Sequence, residues 1–212
     1  MRFLIGAAVA VTGMVLLSGC ATMNEDQCLV GDWGGRGWQD GTEGRQASRL
    51  EEHAKACAKY GVEPNMNAYL SAREDGLRTY CTGENGFRQG RQGNSYGGVC
   101  TLAEEASFVP AYQDGRQIYA AEQAVASAES ALDSAISRIA SREDKLEAKQ
   151  RELRQDGLTN EERNVIRDRI QEVRGELAEA RRDARRAEEA LHYAEIEARA
   201  VRSAIGGRYG LW

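Results

Sequence analysis

The sequence predicts a mainly α-helical protein, with a small helical head held by disulfides and a long antiparallel coiled-coil helical hairpin after it. Three observations predict this fold. Composition changes near residue 117: residues 28–119 hold 15 of the 23 glycines and both prolines, whereas residues 120–205 hold two glycines and no proline. A heptad repeat fills the later region, and four cysteines lie in the earlier one.

The hairpin prediction depends on apolar residues at coiled-coil spacing. In the first arm they recur every seven positions, at Ile118, Val125, Leu132, Ile139, Leu146 and Leu153. In the second arm the steps alternate between four and three, through Ile166, Ile170, Val173, Leu177, Ala180, Ala184, Ala187, Leu191, Ala194, Ala198, Val201 and Ile205. Such a seam is typical of helices that pack along their whole length.

A turn near residues 156–159 separates the two arms. Gly157 suits the end of a helix, and Thr159 with Glu162 forms a capping box for the next helix. Because so short a connection makes neighbouring helices antiparallel, we expect a hairpin over residues 117–205 and a tail over residues 206–212. The alternative is an intermolecular coiled coil, in which the arms pair with a second copy.

The N-terminus predicts export and lipid attachment. Met1-Arg2 precedes an uncharged apolar run from Phe3 to Leu17, which ends in Leu17-Ser18-Gly19-Cys20. The run is shorter than the roughly 20 residues of a membrane-spanning helix and resembles a signal peptide. We expect a lipoprotein signal peptide at residues 1–19, lipidation at Cys20 and a tether over residues 20–27. The alternatives are an ordinary signal peptide cut elsewhere and an uncleaved anchor.

Two further features refine this expectation. Ala21, rather than Asp, follows the lipidated cysteine and favours the outer membrane, with the protein facing the periplasm. Four cysteines then remain for an oxidising compartment, and we expect two disulfides. The three pairings stay open, with Cys28–Cys57 and Cys81–Cys100 favoured because they close the shorter loops. A metal site at His53 and Cys57 is the weaker alternative, so we expect no metal and no cofactor.

The head, residues 28–116, contains a recurring pattern of an aromatic residue, two others and a glycine. It occurs as Trp38–Gly41, Phe87–Gly90 and Tyr112–Gly115, with Arg73–Gly76 as a variant. The glycines either let a neighbouring helix or ring approach, which we favour, or form a ligand cradle with the aromatic rings. Candidate ligand-facing residues are Trp33, Trp38, Phe87, Tyr96 and Tyr112. We expect helices over residues 42–60 and 63–81 and irregular structure over residues 82–98.

These residues carry a resemblance to a known family. The pattern runs Cys28-x-x-Gly31-Asp32-Trp33, Asp40-Gly41-x-x-Gly44, His53-x-x-x-Cys57, Tyr80-Cys81, Val99-Cys100 and Ala111-Tyr112-x-x-Gly115-Arg116. Over residues 28–119 the chain resembles a family of Gram-negative bacterial lipoproteins that is known only as a domain of unknown function. One departure is Ala72, where the family pattern has a glycine. The resemblance implies an envelope location and a helical tail, and it implies no activity.

The sequence favours a non-catalytic function. No set of nucleophile, base and orienting residue is visible, so we expect no enzyme. The formal net charge is −5 and no region is strongly basic, so we expect no nucleic acid partner. We expect a structural or protein-interaction role, with the membrane bound through lipid and an envelope protein bound through the coiled coil. The alternative is a module that binds cell-wall glycan or peptide through the aromatic, glycine-rich head.

Overall fold

A computed structural model describes residues 22–210 of the chain. The expected signal peptide at residues 1–19, the expected lipidation site Cys20 and the last two residues of the expected tail lie outside this range. Between residues 22 and 210 the chain is helical and forms no strand, which confirms the mainly α fold. No helix in that range is long and apolar enough to cross a membrane.

Seven helices follow one another along the described chain: α1 (Glu25–Val30), α2 (Trp33–Thr42), α3 (Arg49–Ala58), α4 (Met66–Tyr80), α5 (Gly83–Arg91), α6 (Leu102–Leu153) and α7 (Asn160–Tyr209). The chain forms two compact units, and the first ends at Tyr80. We expected a boundary between residues 116 and 117, but α6 passes through this position without a break. Helix α6 begins earlier because Thr101 and Glu104 cap its N-terminus with a complete capping box.

In the first unit, α2 and α4 pack backbone against backbone. A Cβ added at Gly37 would lie 2.1 Å from the Tyr69 carbonyl oxygen, and one at Gly41 would lie 2.2 Å from that of Arg73. Gly76 on α4 faces Gly41, with 3.0 Å between its added Cβ and the Gly41 Cα. Only glycine permits so close an approach, so this contact confirms the packing interpretation for these positions.

The remaining helices of the first unit complete its core around α2 and α4. The buried apolar cluster consists of Met23, Cys28, Trp33, Leu50, Cys57 and Tyr69. Helix α3 covers residues 49–58 of the expected helix at 42–60. The preceding residues instead form turns, in which Gly44 has a φ of +69° and lies against the Tyr80 ring.

In the second unit, α5 and α6 pack in the same manner. A Cβ added at Gly86 would lie 2.5 Å from the Phe108 carbonyl oxygen, and one at Gly90 would lie 2.1 Å from that of Tyr112. Gly115 faces Gly90 from α6. The expectation of irregular structure at residues 82–98 was therefore wrong for residues 83–91, because helix packing offsets the cost of about 1 kcal/mol per helical glycine.

Helices α6 and α7 form the expected antiparallel hairpin. Ion pairs join Arg142 to Glu176 and Glu122 to Arg202, so residues later in α6 face residues earlier in α7. The seam positions of both arms are buried or half-buried. At the turn, Gly157 has a φ of +83°, and Thr159 forms the predicted capping box with its partner three residues on.

Candidate functional site

The cysteines form one disulfide in each unit. Cys28 is bonded to Cys57 with 5.4 Å between their Cα atoms, and Cys81 to Cys100 with 5.6 Å. This is the pairing that the shorter loops favoured. It removes Cys57 from the alternative metal site with His53, because its sulfur is bonded to carbon and sulfur only. Among residues 22–210, no three His, Cys, Asp or Glu side chains are grouped to hold a metal ion.

A buried polar cluster in the first unit centres on Asp40. Its Oδ2 accepts a hydrogen bond from the Tyr69 hydroxyl at 2.5 Å and lies 2.8 Å from His53 Nε2. On the other side of the imidazole, Nδ1 lies 2.7 Å from the Thr22 hydroxyl oxygen. Burial, followed by the hydrogen bond to Asp40 and the negative charge there, raises the pKa of the Tyr69 hydroxyl, which stays protonated.

In this cluster the Tyr69 hydroxyl and the His53 imidazole meet at one carboxylate oxygen of Asp40, an arrangement that was not predicted from the sequence. Its three side chains lie 13 and 16 residues apart on different helices, so no short motif marks them. Only 1% of His53 is exposed, and both of its ring nitrogens are engaged. In this geometry the cluster holds Thr22 to the core rather than opening a ring nitrogen to solvent.

The N-terminal segment is consequently docked where we expected a tether. Met23 is 2% exposed, and its sulfur lies 4.0 Å from that of Cys57. Helix α1 begins two residues later, capped reciprocally by Asn24 and Gln27. Residues 22–27 of the expected tether at residues 20–27 are therefore folded, because an apolar anchor and a capping box both fix them.

The five candidate ligand-facing residues have different surroundings within their units. Trp33 belongs to the core of the first unit, and Phe87 is stacked on Tyr209 in the second. The Tyr96 hydroxyl donates to Glu105, and the Tyr112 hydroxyl donates to the carbonyl oxygen of residue 94. Of the five, Trp38 is the most open, with 53% of its surface exposed.

The end of α7 binds the α5–α6 pair through aromatic and charged groups. The rings of Phe87 and Tyr209 are nearly parallel, with 3.8 Å between their centroids. The Tyr209 hydroxyl donates to Asp114 Oδ2 at 2.9 Å, and Arg208 Nη2 lies 3.2 Å from Oδ1. Residues 206–209 of the expected tail are thus a docked helix end.

An ion cluster ties together all three helices of this end of the second unit. Glu122 on α6 accepts hydrogen bonds from Arg91 on α5 at 2.7 Å and from Arg202 on α7 at 3.0 Å. Partial burial acts to raise the pKa of the Glu122 carboxyl, but the hydrogen bonds and charges of both arginines outweigh it. The pKa consequently lies below its ordinary value of 4.5.

The outer faces of the hairpin are charged, with a few apolar exceptions. Tyr193 and Ile196 lie three positions apart on α7 and are 71% and 44% exposed. Side chains at this spacing share one face of a helix. Acidic residues flank them at Glu189 and Glu197. The pair is a small exposed apolar spot set among charged residues.

One comparison with known proteins gave a match. Residues 32–117 match the sequence profile of a family described as "Protein of unknown function (DUF2799)". The matched segment begins at the cap of α2 and ends inside α6, so it contains the glycine contacts of both helix pairs. Comparisons with curated proteins and with solved structures found no match. The match over residues 32–117 confirms the resemblance to a family of unknown function that the residue pattern of the head predicted.

Proposed function

We propose that this protein is a non-catalytic, lipid-anchored protein of the cell envelope, and that its hairpin binds or spaces a protein partner. The observation that carries the proposal is the length of the hairpin. Glu122 marks the last ion pair between α6 and α5, yet α6 continues to Leu153, a further 31 residues or about 46 Å. Stabilising the α5–α6 pair does not require arms of this length.

The surface of the arms supports an interaction role. Their seam is filled by their own residues, so the arms need no second copy to bury it. Their outer faces offer charge and the Tyr193–Ile196 pair, and a long solvated rod with a local apolar spot is suited to contact another protein. The head offers less to the alternative of glycan or peptide binding, because four of its five candidate rings are packed or hydrogen-bonded within the protein.

A shortened hairpin tests the interaction role. Deleting residues 133–146 together with residues 175–188 removes two heptads from each arm at facing positions, or about 21 Å of length. Both arms keep their register, the turn and both disulfides. We expect cross-linking in intact cells to recover a specific partner with the wild type and to lose it with the shortened protein.

The control for this experiment is Val165→Ala, which truncates an exposed side chain of α7 and leaves the length unchanged. The control should retain the partner. Equal recovery of the same partner by the shortened protein and the wild type would contradict the proposal. Circular dichroism of the shortened protein must show that its helices still form.

The anchoring part of the proposal rests on Leu17-Ser18-Gly19-Cys20 and on Ala21. Cys20→Ser should abolish labelling with radioactive palmitate and leave an unprocessed precursor, because serine offers no thiol for the lipid. Ser18→Thr is a control with a small neighbouring residue and should still be labelled. A Cys20→Ser protein that still carries lipid would refute the anchor.

A further inference from the structure

The two glycine-packed helix pairs are equivalent position by position. Gly41 and Gly76 touch between α2 and α4, as Gly90 and Gly115 do between α5 and α6. The equivalence includes Gly37 and Gly86, which face the carbonyl oxygens of Tyr69 and Phe108. After the glycines, Gly44 lies on the Tyr80 ring and Gly93 on the Tyr119 ring, both with positive φ. The head thus contains the same helix-pair motif twice, and each position of one helix pair has a counterpart in the other.

This equivalence relates Trp38 to Phe87 and Asp75 to Asp114. Trp38 follows Gly37 as Phe87 follows Gly86, and Asp75 precedes Gly76 as Asp114 precedes Gly115. In the second pair, Phe87 and Asp114 form the surface that receives α7: the ring stacks on Tyr209, and the carboxyl binds Arg208 and Tyr209. Phe87 and Asp114 are each only 9% exposed as a result.

The counterpart surface of the first pair carries the same chemistry but is open. Trp38 is 53% exposed, and the side chain of Asp75 is 60% exposed. The ion partner of Asp75 is Arg78 on the same helix, at 3.5 Å and itself 76% exposed, a contact that solvent readily replaces. Half-buried Ala72 and exposed Thr79 stand where Ala111 and Ile118 are buried under α7.

We propose that the surface formed by Trp38, Ala72, Asp75 and Thr79 binds a helix end of a partner protein that presents an arginine and an aromatic residue in succession. This surface, the Trp38 face, offers an aromatic ring for stacking and a carboxylate for a cation. Phe87 and Asp114 supply the same two kinds of group to Tyr209 and Arg208 in the second unit. The proposal does not rest on the function of the hairpin.

The occupant is another protein rather than a second copy of this chain. The one described helix end that has this chemistry, at the end of α7, is already bound within its own unit. That binding is intramolecular, and a second copy would have to compete with it at a far lower effective concentration. Large aromatic residues such as tryptophan are also common among the residues that contribute most of the binding energy in protein–protein interfaces.

A peptide with the sequence of residues 190–210 is the probe for this surface. Labelled with fluorescein and titrated with the full chain in detergent, it should bind saturably, as measured by anisotropy. Trp38→Ala should weaken binding by about 10-fold or more, and Asp75→Asn by several-fold, because each removes one of the two recognition groups. A peptide in which the residue at position 209 is alanine should bind as weakly as the wild-type peptide binds Trp38→Ala.

The control Leu102→Ala, made in the full chain, truncates another exposed apolar side chain and should leave the affinity unchanged. Absence of binding, or binding that Trp38→Ala and Asp75→Asn leave intact, would overturn the proposal. Sedimentation of the full chain measures its oligomeric state and tests whether a second copy is the occupant. A concentration-dependent dimer that Trp38→Ala abolishes would assign the face to a second copy and overturn the proposed occupant.

Discussion

In the first unit α2 and α4 touch through Gly41 and Gly76, and in the second α5 and α6 touch through Gly90 and Gly115. The two backbone contacts are alike, but the elements that cover them differ. Helix α3, the N-terminal segment and a buried polar cluster complete the first pair, whereas the end of α7 completes the second. The glycines therefore specify the pairing of the helices, while the surrounding side chains determine which further element packs on each pair.

The largest effect should come from filling the glycine contacts. Gly41→Ala and Gly90→Ala each place a Cβ against a backbone carbonyl that cannot move without its helix. We expect each variant to lose about 3 kcal/mol or more of unfolding free energy, in its own unit. Gly175→Ala is the control, because nothing lies within 4 Å of its added Cβ and alanine favours the helix by about 1 kcal/mol. Urea unfolding followed by circular dichroism measures all three.

Removal of either disulfide should cost about 3 kcal/mol, because the cysteines of each pair are 29 and 19 residues apart and close loops of moderate length. Replacing Cys28 and Cys57 by alanine should unfold the first unit early and leave the hairpin helical. Replacing Cys81 and Cys100 should cause a smaller loss of helix, because the seam between α6 and α7 remains. Thermal melts that show equal loss of helix in both variants would contradict this difference between the units.

A smaller effect concerns the one polar cluster that distinguishes the first unit. Tyr69→Phe installs the residue that the second pair has at the equivalent position, Phe108. It removes the hydroxyl donor to Asp40, and we expect a loss of about 1–2 kcal/mol. Tryptophan fluorescence during urea unfolding monitors this unit through Trp33. Tyr119→Phe is the matched control in the second unit and should change stability by less than half as much.

The smallest effect should be a pH dependence that Glu122 gives to the second unit. A carboxyl whose pKa is lowered by folding stabilises the fold above its unfolded pKa, and this stabilisation is lost as pH falls through the folded pKa. The wild type should therefore lose stability between about pH 5 and 3, and Glu122→Gln should lose less. Glu188→Gln, an exposed change on α7, is the control. Unfolding free energies measured across this range that coincide for Glu122→Gln and the wild type would exclude the contribution of Glu122.

The sequence allowed the hairpin to be predicted in detail, because a heptad seam and a capped turn are local signals. It did not reveal α5, since Gly83, Gly86 and Gly90 reduce helix propensity and the compensating contact with α6 is distant in sequence. The start of α6 was missed for another reason. The heptad begins where α7 packs on α6, whereas the helix itself begins at Thr101, where the capping box with Glu104 gave a signal.

The candidate site was less predictable than the fold. The aromatic residues of the head form a recognisable sequence pattern, but pattern alone does not tell a packed ring from an open one. Phe87 and Trp38 occupy equivalent positions, but Phe87 is buried because Tyr209, distant in sequence, stacks on it, whereas Trp38 is exposed. Likewise, Asp40 of α2 and His53 of α3 meet in the buried interior of the first unit, and the spacing between them in the sequence does not indicate this contact.

The docking of Thr22 and Met23 has a consequence for how the protein would stand on a membrane. One residue, Ala21, separates Cys20 from the docked segment, and two residue steps reach at most about 7 Å. A lipid carried at Cys20 would then hold the first unit directly against the headgroups, with no flexible linker between them. The unit could spin about the membrane normal but hardly tumble, so the same side would always be turned towards the bilayer.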